Sequence, residues 1–194
     1  MERGEHLLDA LVEVVAAGGL GAASVRAVAS AAGVSVAQVQ YYFRTKDELV
    51  EAAYRHVSER LVRRVRDLDL DGAPEDVLRR VLHLWLPLDA ERERDAKVWL
   101  AFAAAAPVSA SLRPLSAEMD RELKRWLAEF AGVDEIEAAL LLAVLDGLVV
   151  QSLVRPEPER SDLLVRGLDR HLERLFAAGG KGSGSKIERP GGER

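Results

Sequence analysis

Apolar positions along the chain recur at three- and four-residue intervals, and nowhere do they alternate for long enough to mark a strand. Between Glu5 and Ala17, the residues Leu7, Leu11, Val14 and Val15 share one helical face, and Gly18, Gly19 and Gly21 then break the pattern. Ser24 stands where a cap belongs, ahead of a short helix with Val25, Val28, Ala29 and Ala32 on one side. Gly33 follows, a residue able to take the left-handed conformation of a tight helix–helix turn. Ser35 caps a second short helix running through Val39 to Phe43, and Thr45 with Glu48 forms a T-x-x-E box opening a long helix from Lys46 to about Arg66.

Five further helices are expected. Pro74 sits at the first position of one that runs to Leu86 and is stopped by Pro87. The next spans about Ala90 to Ala106, and another covers Leu112 to Ala131, closed by Gly132. Asp134 caps a helix that continues to Val154, and the last runs from Glu159 to Ala178 with Leu164, Leu168, Leu172 and Leu175 along one side. The pattern therefore predicts an all-α protein of about nine helices. Residues 1–46 form an N-terminal three-helix unit, residues 47–178 a helical body, and residues 179–194 a Gly/Ser-rich tail expected to be disordered.

Composition narrows the functional classes. The chain has 194 residues, 48% apolar and 30% charged, enough for one domain or two small ones with a real core. It has no cysteine, which excludes disulfide scaffolds, thiolate zinc sites, iron–sulfur clusters and cysteine nucleophiles. The histidines His6, His56, His83 and His171 lie far apart without a ligand-spaced partner, so no metal or cofactor is expected. No G-x-S-x-G, Walker, Rossmann or HExxH pattern is present, which argues against an enzyme. No apolar run reaches the ~18 residues of a membrane span. The start, MERGEH, leads into an amphipathic stretch rather than a signal peptide, so a cytoplasmic location with no membrane partner is expected.

Charge is uneven in a way that changes the picture. The net charge is −5, yet Leu20 to Lys46 contains no acid and carries Arg26, Arg44 and Lys46. The second short helix divides its faces sharply. Val36, Val39 and Phe43 cluster on one side, while Ala37, Gln38, Gln40 and Tyr41 occupy the arc where a solvated helix usually places Lys and Glu. Glutamine pairs bidentately with adenine in the major groove, and alanine contacts a thymine methyl. Ser35 adds a hydroxyl at the helix N-terminus, where the dipole favours phosphate. Arg26 and Lys46, on the first turns of the flanking helices, are placed to grip phosphates. The arrangement points to a helix-turn-helix that reads double-stranded DNA.

The stretch SVRAVASAAGVSVAQVQYYFRTKDELVEAA, Ser24 to Ala53, closely resembles the DNA-binding domain of the tetracycline-repressor (TetR) family. That family's pattern is matched by Ser24, Arg26, Val28 and Ala29, by Ala32 to Ser35, by Tyr41, Tyr42 and Phe43, and by Thr45, Lys46 and Leu49. Ala37 stands where the family often has Gly and Gln40 where it often has Tyr; both lie on the groove arc and bear on operator sequence. The resemblance implies DNA contacts from Ser24, Arg26, Ser35, Val36, Ala37, Gln38, Gln40, Tyr41, Tyr42 and Lys46. Among these, Arg26, Ser35, Tyr42 and Lys46 would meet phosphates, and Val36, Ala37, Gln38, Gln40 and Tyr41 the groove. The alternatives are core packing for Val36 and Tyr42, and a plain solvated face for Gln38, Gln40 and Lys46.

Ala138 to Val150 is apolar apart from Asp146 and Gly147, and a helix apolar around most of its girth needs cover on two sides. A partner subunit is the expected second cover, with the last two helices of two chains forming a four-helix bundle through Leu141, Leu145, Leu148, Leu164, Leu168 and Leu172. TetR-family proteins dimerise in this way. Trp85, Trp99, Phe102 and Trp126 are candidates to line a pocket for a drug-sized ligand, the alternative being plain core. Asp146 must be paired, exposed at an edge, or facing a cavity. LDGLVVQSLVRPEP, Leu145 to Pro158, also resembles the betaine-regulator-like subgroup and identifies no effector. The expected function is a TetR-type repressor that binds a palindromic operator as a homodimer and is released by a small-molecule effector. The alternative is an effector-independent or protein-controlled DNA-binding or architectural protein.

Overall fold

A computed structural model describes residues 2–179, and these residues contain helices, turns and no strand. The helices are α1 (Glu2–Ala22), α2 (Val25–Ala32), α3 (Val36–Tyr42), α4 (Lys46–Arg66), α5 (Pro74–His83), α6 (Ala90–Ala105), α7 (Leu112–Ala131), α8 (Glu135–Ser152) and α9 (Glu159–Gly179), with a 3-10 turn at Ala106–Val108. The tail expected to be disordered falls, from residue 180 on, outside the described residues. The glycine break in the first helix is real: the backbone leaves helical geometry at Gly19 (φ 66°, ψ −175°) before resuming for a last turn. The fifth helix ends at His83, three residues short of the Leu86 expected from Pro87, because Leu84, Trp85 and Leu86 donate to carbonyls three residues back, tightening the chain out of α-helical geometry.

The described chain forms two compact units, one of residues 2–60 with 89–116 and one of residues 61–88 with 117–179. This differs from the division at residue 46, since α6 joins the first unit. Leu7, Leu11, Val12 and Val15 of α1 pack with Val28, Ala29 and Ala32 of α2, Val39 of α3, Leu49, Ala53 and Val57 of α4, and Val98 of α6. Each fully buried Leu or Val contributes about 1.5–3 kcal/mol. Helix α6 is held by more than apolar contact. His56 Nε2 of α4 hydrogen-bonds Asp9 Oδ1 of α1 at 2.9 Å, Arg60 donates to the same oxygen at 3.3 Å, and its other amino group donates to Asp95 of α6. Arg94 pairs with Glu13 at 2.9 Å, and the rings of Tyr54 and Phe102 stack with centroids 3.7 Å apart.

In the second unit, Val65, Val77 and Val81 pack with Leu84, Trp85, Trp126 and Phe130. His83 and Arg79 of α5 both reach Asp169 of α9, at 3.0 and 3.3 Å. Helices α8 and α9 lie close: a Cβ at Gly167 would stand 2.8 Å from Leu148 Cδ2, so the Leu148 side chain fills the space that glycine leaves there.

The turn between α2 and α3 is fixed by Gly33. Its φ of 65° is left-handed, its N–H donates to Ser30 and the Val34 N–H to Ala29, closing the end of α2. Open space surrounds the position a Cβ would take, so the constraint is backbone conformation alone. Gly33→Ala is expected to lower stability by about 1–2 kcal/mol, read from the denaturant midpoint, with Gly33→Asn losing less.

Candidate nucleic-acid interface and effector region

Local hydrogen bonding builds the helix-turn-helix as its sequence requires. Ser24 Oγ accepts from the Ala27 N–H and Ser35 Oγ from the Gln38 N–H, both at 3.2 Å. His6 Nε2 donates to the Ala32 carbonyl at 2.8 Å, tying α1 to the end of α2. At α4, Thr45 Oγ1 accepts from the Glu48 N–H at 3.1 Å, while the Glu48 carboxylate accepts from the Arg44 N–H at 2.7 Å. The box is thus shifted by one residue, with Glu48 reaching past Thr45.

Helix α3 has two turns and one fully buried residue, Val39. Phe43 is half-buried against the same core. Ala37, Gln40 and Tyr41 are exposed, Tyr41 at 81%, and Gln38 is half-buried. Val36 and Tyr42 stand out at 40% and 44%, so neither is committed to the core, and Val36 does not share the packing of Val39. Tyr41 and Tyr42 meet edge to face at 5.2 Å. Ser24, Arg26, Ser35 and Lys46 are exposed, and among the described residues Arg26 and Lys46 form no ion pair. One small unit thus presents an acid-free short helix flanked by cations with no intramolecular partner.

Five of the six leucines expected at the dimer interface are buried within the single chain. Leu141, Leu145, Leu164, Leu168 and Leu172 are 0–1% exposed within the single chain, and Leu148 lies over Gly167. Leu148 is half-buried and meets Gly167 of α9, whereas the other five, with no free surface, have nothing to offer a partner. The opposite side of α8 carries what the sequence reading missed: Ile136, Leu140, Ala143 and Val150 are exposed, as is Val154 just beyond the helix. With half-buried Gly147 they recur every three or four residues. The spacing was visible in the sequence; which apolar face pointed inward was not.

The aromatic set is also divided. Trp85 and Trp126 join one cluster in the second unit, and Trp126 lies 5.1 Å from Phe130. Phe102 belongs to the first unit, apart from Trp85 and Trp126, where it is 2% exposed and stacked on Tyr54. Trp99 is half-buried in that same unit. Asp146 is half-buried on α8. Burial, then the nearby Asp120 charge, pushes its carboxyl up to about 6, and Lys124 opposes this. Lys124 is itself engaged 2.7 Å from Asp120, which limits what it can do for Asp146. His171, whose buried Nε2 lacks a hydrogen-bond partner, is held below its ordinary value chiefly by burial. Among the described residues, no three His, Asp or Glu side chains converge as a metal site. No single described helix is long and apolar enough to cross a membrane.

Asp146 holds its proton more tightly folded than unfolded, so folding carries an extra proton between the ordinary 3.8 and about 6. The folded form therefore loses stability as pH rises through that window. Asp146→Asn is expected to escape the loss, its stability gain over wild type growing from about pH 4 to about pH 7 in denaturant titrations. A gain that does not change with pH would contradict the assignment.

Comparison with known proteins agrees with this geometry. Residues 7–53 match the family model described as bacterial regulatory proteins, tetR family, and residues 74–177 match that of the BetI-type transcriptional repressor, C-terminal. The chain is 28% identical over 184 residues to the HTH-type transcriptional regulator PksA of Bacillus subtilis, covering 90% of each. It superposes on the crystal structure of a transcriptional regulator from Rhodococcus sp. Rha1 with a TM-score of 0.82 and 35% identity, covering 90% of this chain and 96% of that one. The multidrug binding protein EbrR, solved with malachite green, matches with a TM-score of 0.70 and 33% identity, covering 90% and 98%. The chain belongs to the TetR family of bacterial transcriptional regulators, with a BetI-type C-terminal region, and is a regulator rather than an enzyme.

Proposed function

We propose that the protein is a cytoplasmic, homodimeric repressor that binds a palindromic operator and leaves it when a small organic molecule occupies the C-terminal helices. The observation that carries this reading is the outer arc of α3, where Ala37, Gln40 and Tyr41 are exposed with no acid among them. Ala37, Gln38, Gln40, Tyr41 and Val36 read the groove. Ser24, Arg26, Ser35, Tyr42 and Lys46 hold the phosphates on either side. DNA reading rests with residues 1–46, braced by α6, and effector binding and dimerisation with residues 47–178.

The dimer forms through the exposed side of α8, with Ile136, Leu140, Val150 and Val154 as its apolar contacts and Ala143 and Gly147 permitting close approach. Exposed apolar side chains in one continuous row are costly in water and are relieved by a symmetric copy. The effector is drug-sized and organic, like the malachite green with which EbrR was solved. Trp85, Trp126 and Asp146 are the side chains proposed to meet it, and the carboxylate favours a cationic molecule. Release requires the effector to bind the conformer that does not fit DNA more tightly than the one that does.

Selection of bound duplexes from a random pool by the purified protein tests the reading, with enrichment of one inverted repeat as the expected outcome. Binding that enriches nothing and fades with salt favours an architectural role instead. On the selected operator, Gln40→Ala is expected to cost about 1–3 kcal/mol at one base pair and to relax preference there; an unchanged ranking of operator variants would remove Gln40 from direct readout. Leu140→Glu is expected to yield monomers in sedimentation velocity without loss of helical content, and a persisting dimer would move the interface off this face.

A further inference from the structure

Two carboxylates, Asp47 and Glu48, directly follow Lys46 in the first turn of α4. An acid there stabilises the helix through its dipole. Beside a lysine that binds phosphate, however, it is a liability, since it can pair with the lysine or repel the DNA. Both are held by donors. Glu48 accepts the Arg44 backbone N–H at 2.7 Å. Asp47 Oδ2 accepts the hydroxyl of Ser111 at 2.7 Å, across 64 residues of chain.

Ser111 belongs to the corner between α6 and α7, in the same compact unit as the helix-turn-helix. The corner is internally braced. The hydroxyls of Ser109 and Ser111 lie 3.0 Å apart, Ser109 Oγ accepts the Leu112 N–H at 3.2 Å, and Arg113 donates to the Pro107 carbonyl at 2.7 Å. The Ser111 hydroxyl is therefore presented by a fixed piece of backbone, while Lys46 has no ion pair among the described residues.

We propose that Ser111 is a positioning residue for DNA binding: its hydrogen bond holds the Asp47 carboxylate aside and leaves the Lys46 ammonium free for a phosphate. This rests on Lys46 being a phosphate contact, as the proposed function has it. Ser111 touches no DNA itself. It acts through the charge of Asp47, and that sets it apart from a residue that merely keeps the corner folded.

The test measures affinity for mixed-sequence duplex DNA across a salt series, for wild type and four variants. Lys46→Ala should lower the salt slope by about one. Ser111→Ala should weaken binding about three- to tenfold, with an unchanged melting temperature because both partners are exposed. Adding Asp47→Asn to Ser111→Ala should restore affinity to within about twofold of wild type, since the charge to be held aside is gone. Ser111→Thr, which keeps the donor, should bind as wild type. If Ser111→Ala binds normally, or if Asp47→Asn fails to restore it, the proposal is overturned while the Lys46 reading stands. If Lys46→Ala leaves the slope unchanged, the phosphate contact fails and the proposal falls with it.

Discussion

One guanidinium joins three helices of the DNA-reading unit. Arg60 of α4 donates to Asp9 of α1 and to Asp95 of α6, and His56 shares the Asp9 oxygen one turn earlier. Asp9 is more than half exposed, but Arg60 and Asp95 are largely buried, so that pair has little water to fall back on. Breaking a buried pair is expensive even where making one gains little, and such a network therefore specifies geometry more than it adds stability. Its effect is to fix α6 on α1 and α4, with Val98 and Phe102 completing the contact. The reading head is consequently a larger body than the three helices of its motif.

That enlargement explains most of what sequence alone conveyed and where it stopped. Local signals were legible wherever one short stretch determines the outcome. Ser24, Ser35 and Asp134 cap the helices they precede, Gly33 makes its turn, and Gly19 breaks its helix. The interface helix was legible too, because polarity without charge is unusual on an exposed arc. What could not be read were choices made between distant elements. Helix α8 is apolar on two sides, and nothing within it says which side α9 will cover. The leucines of both helices form ordinary stripes, and nothing local shows that Leu148 of α8 will lie over Gly167 of α9. Phe102 sits among alanines in sequence, and only the fold brings Tyr54 against it.

The electrostatic layout carries the same lesson at finer scale. The net charge is negative, yet the segment from Leu20 to Lys46 is free of acids, and Asp47 and Glu48, which follow it directly, are each tied down by a donor. A regulator need not be basic overall to approach DNA, since screening confines the relevant field to about a nanometre at physiological salt. What matters is which charges near the contact are already engaged.

Helix α3 is too short to persist on its own and is anchored mainly by Val39, with Phe43 beside it. Its outward positions, Ala37, Gln40 and Tyr41, take no part in that anchorage. On the readout proposed for α3, folding and sequence preference are written on different residues of the same seven-residue element. On that proposal, a lineage carrying this scaffold changes the site it recognises by single substitutions on the exposed arc, and duplicated copies diverge in target while the anchorage through Val39 stays put.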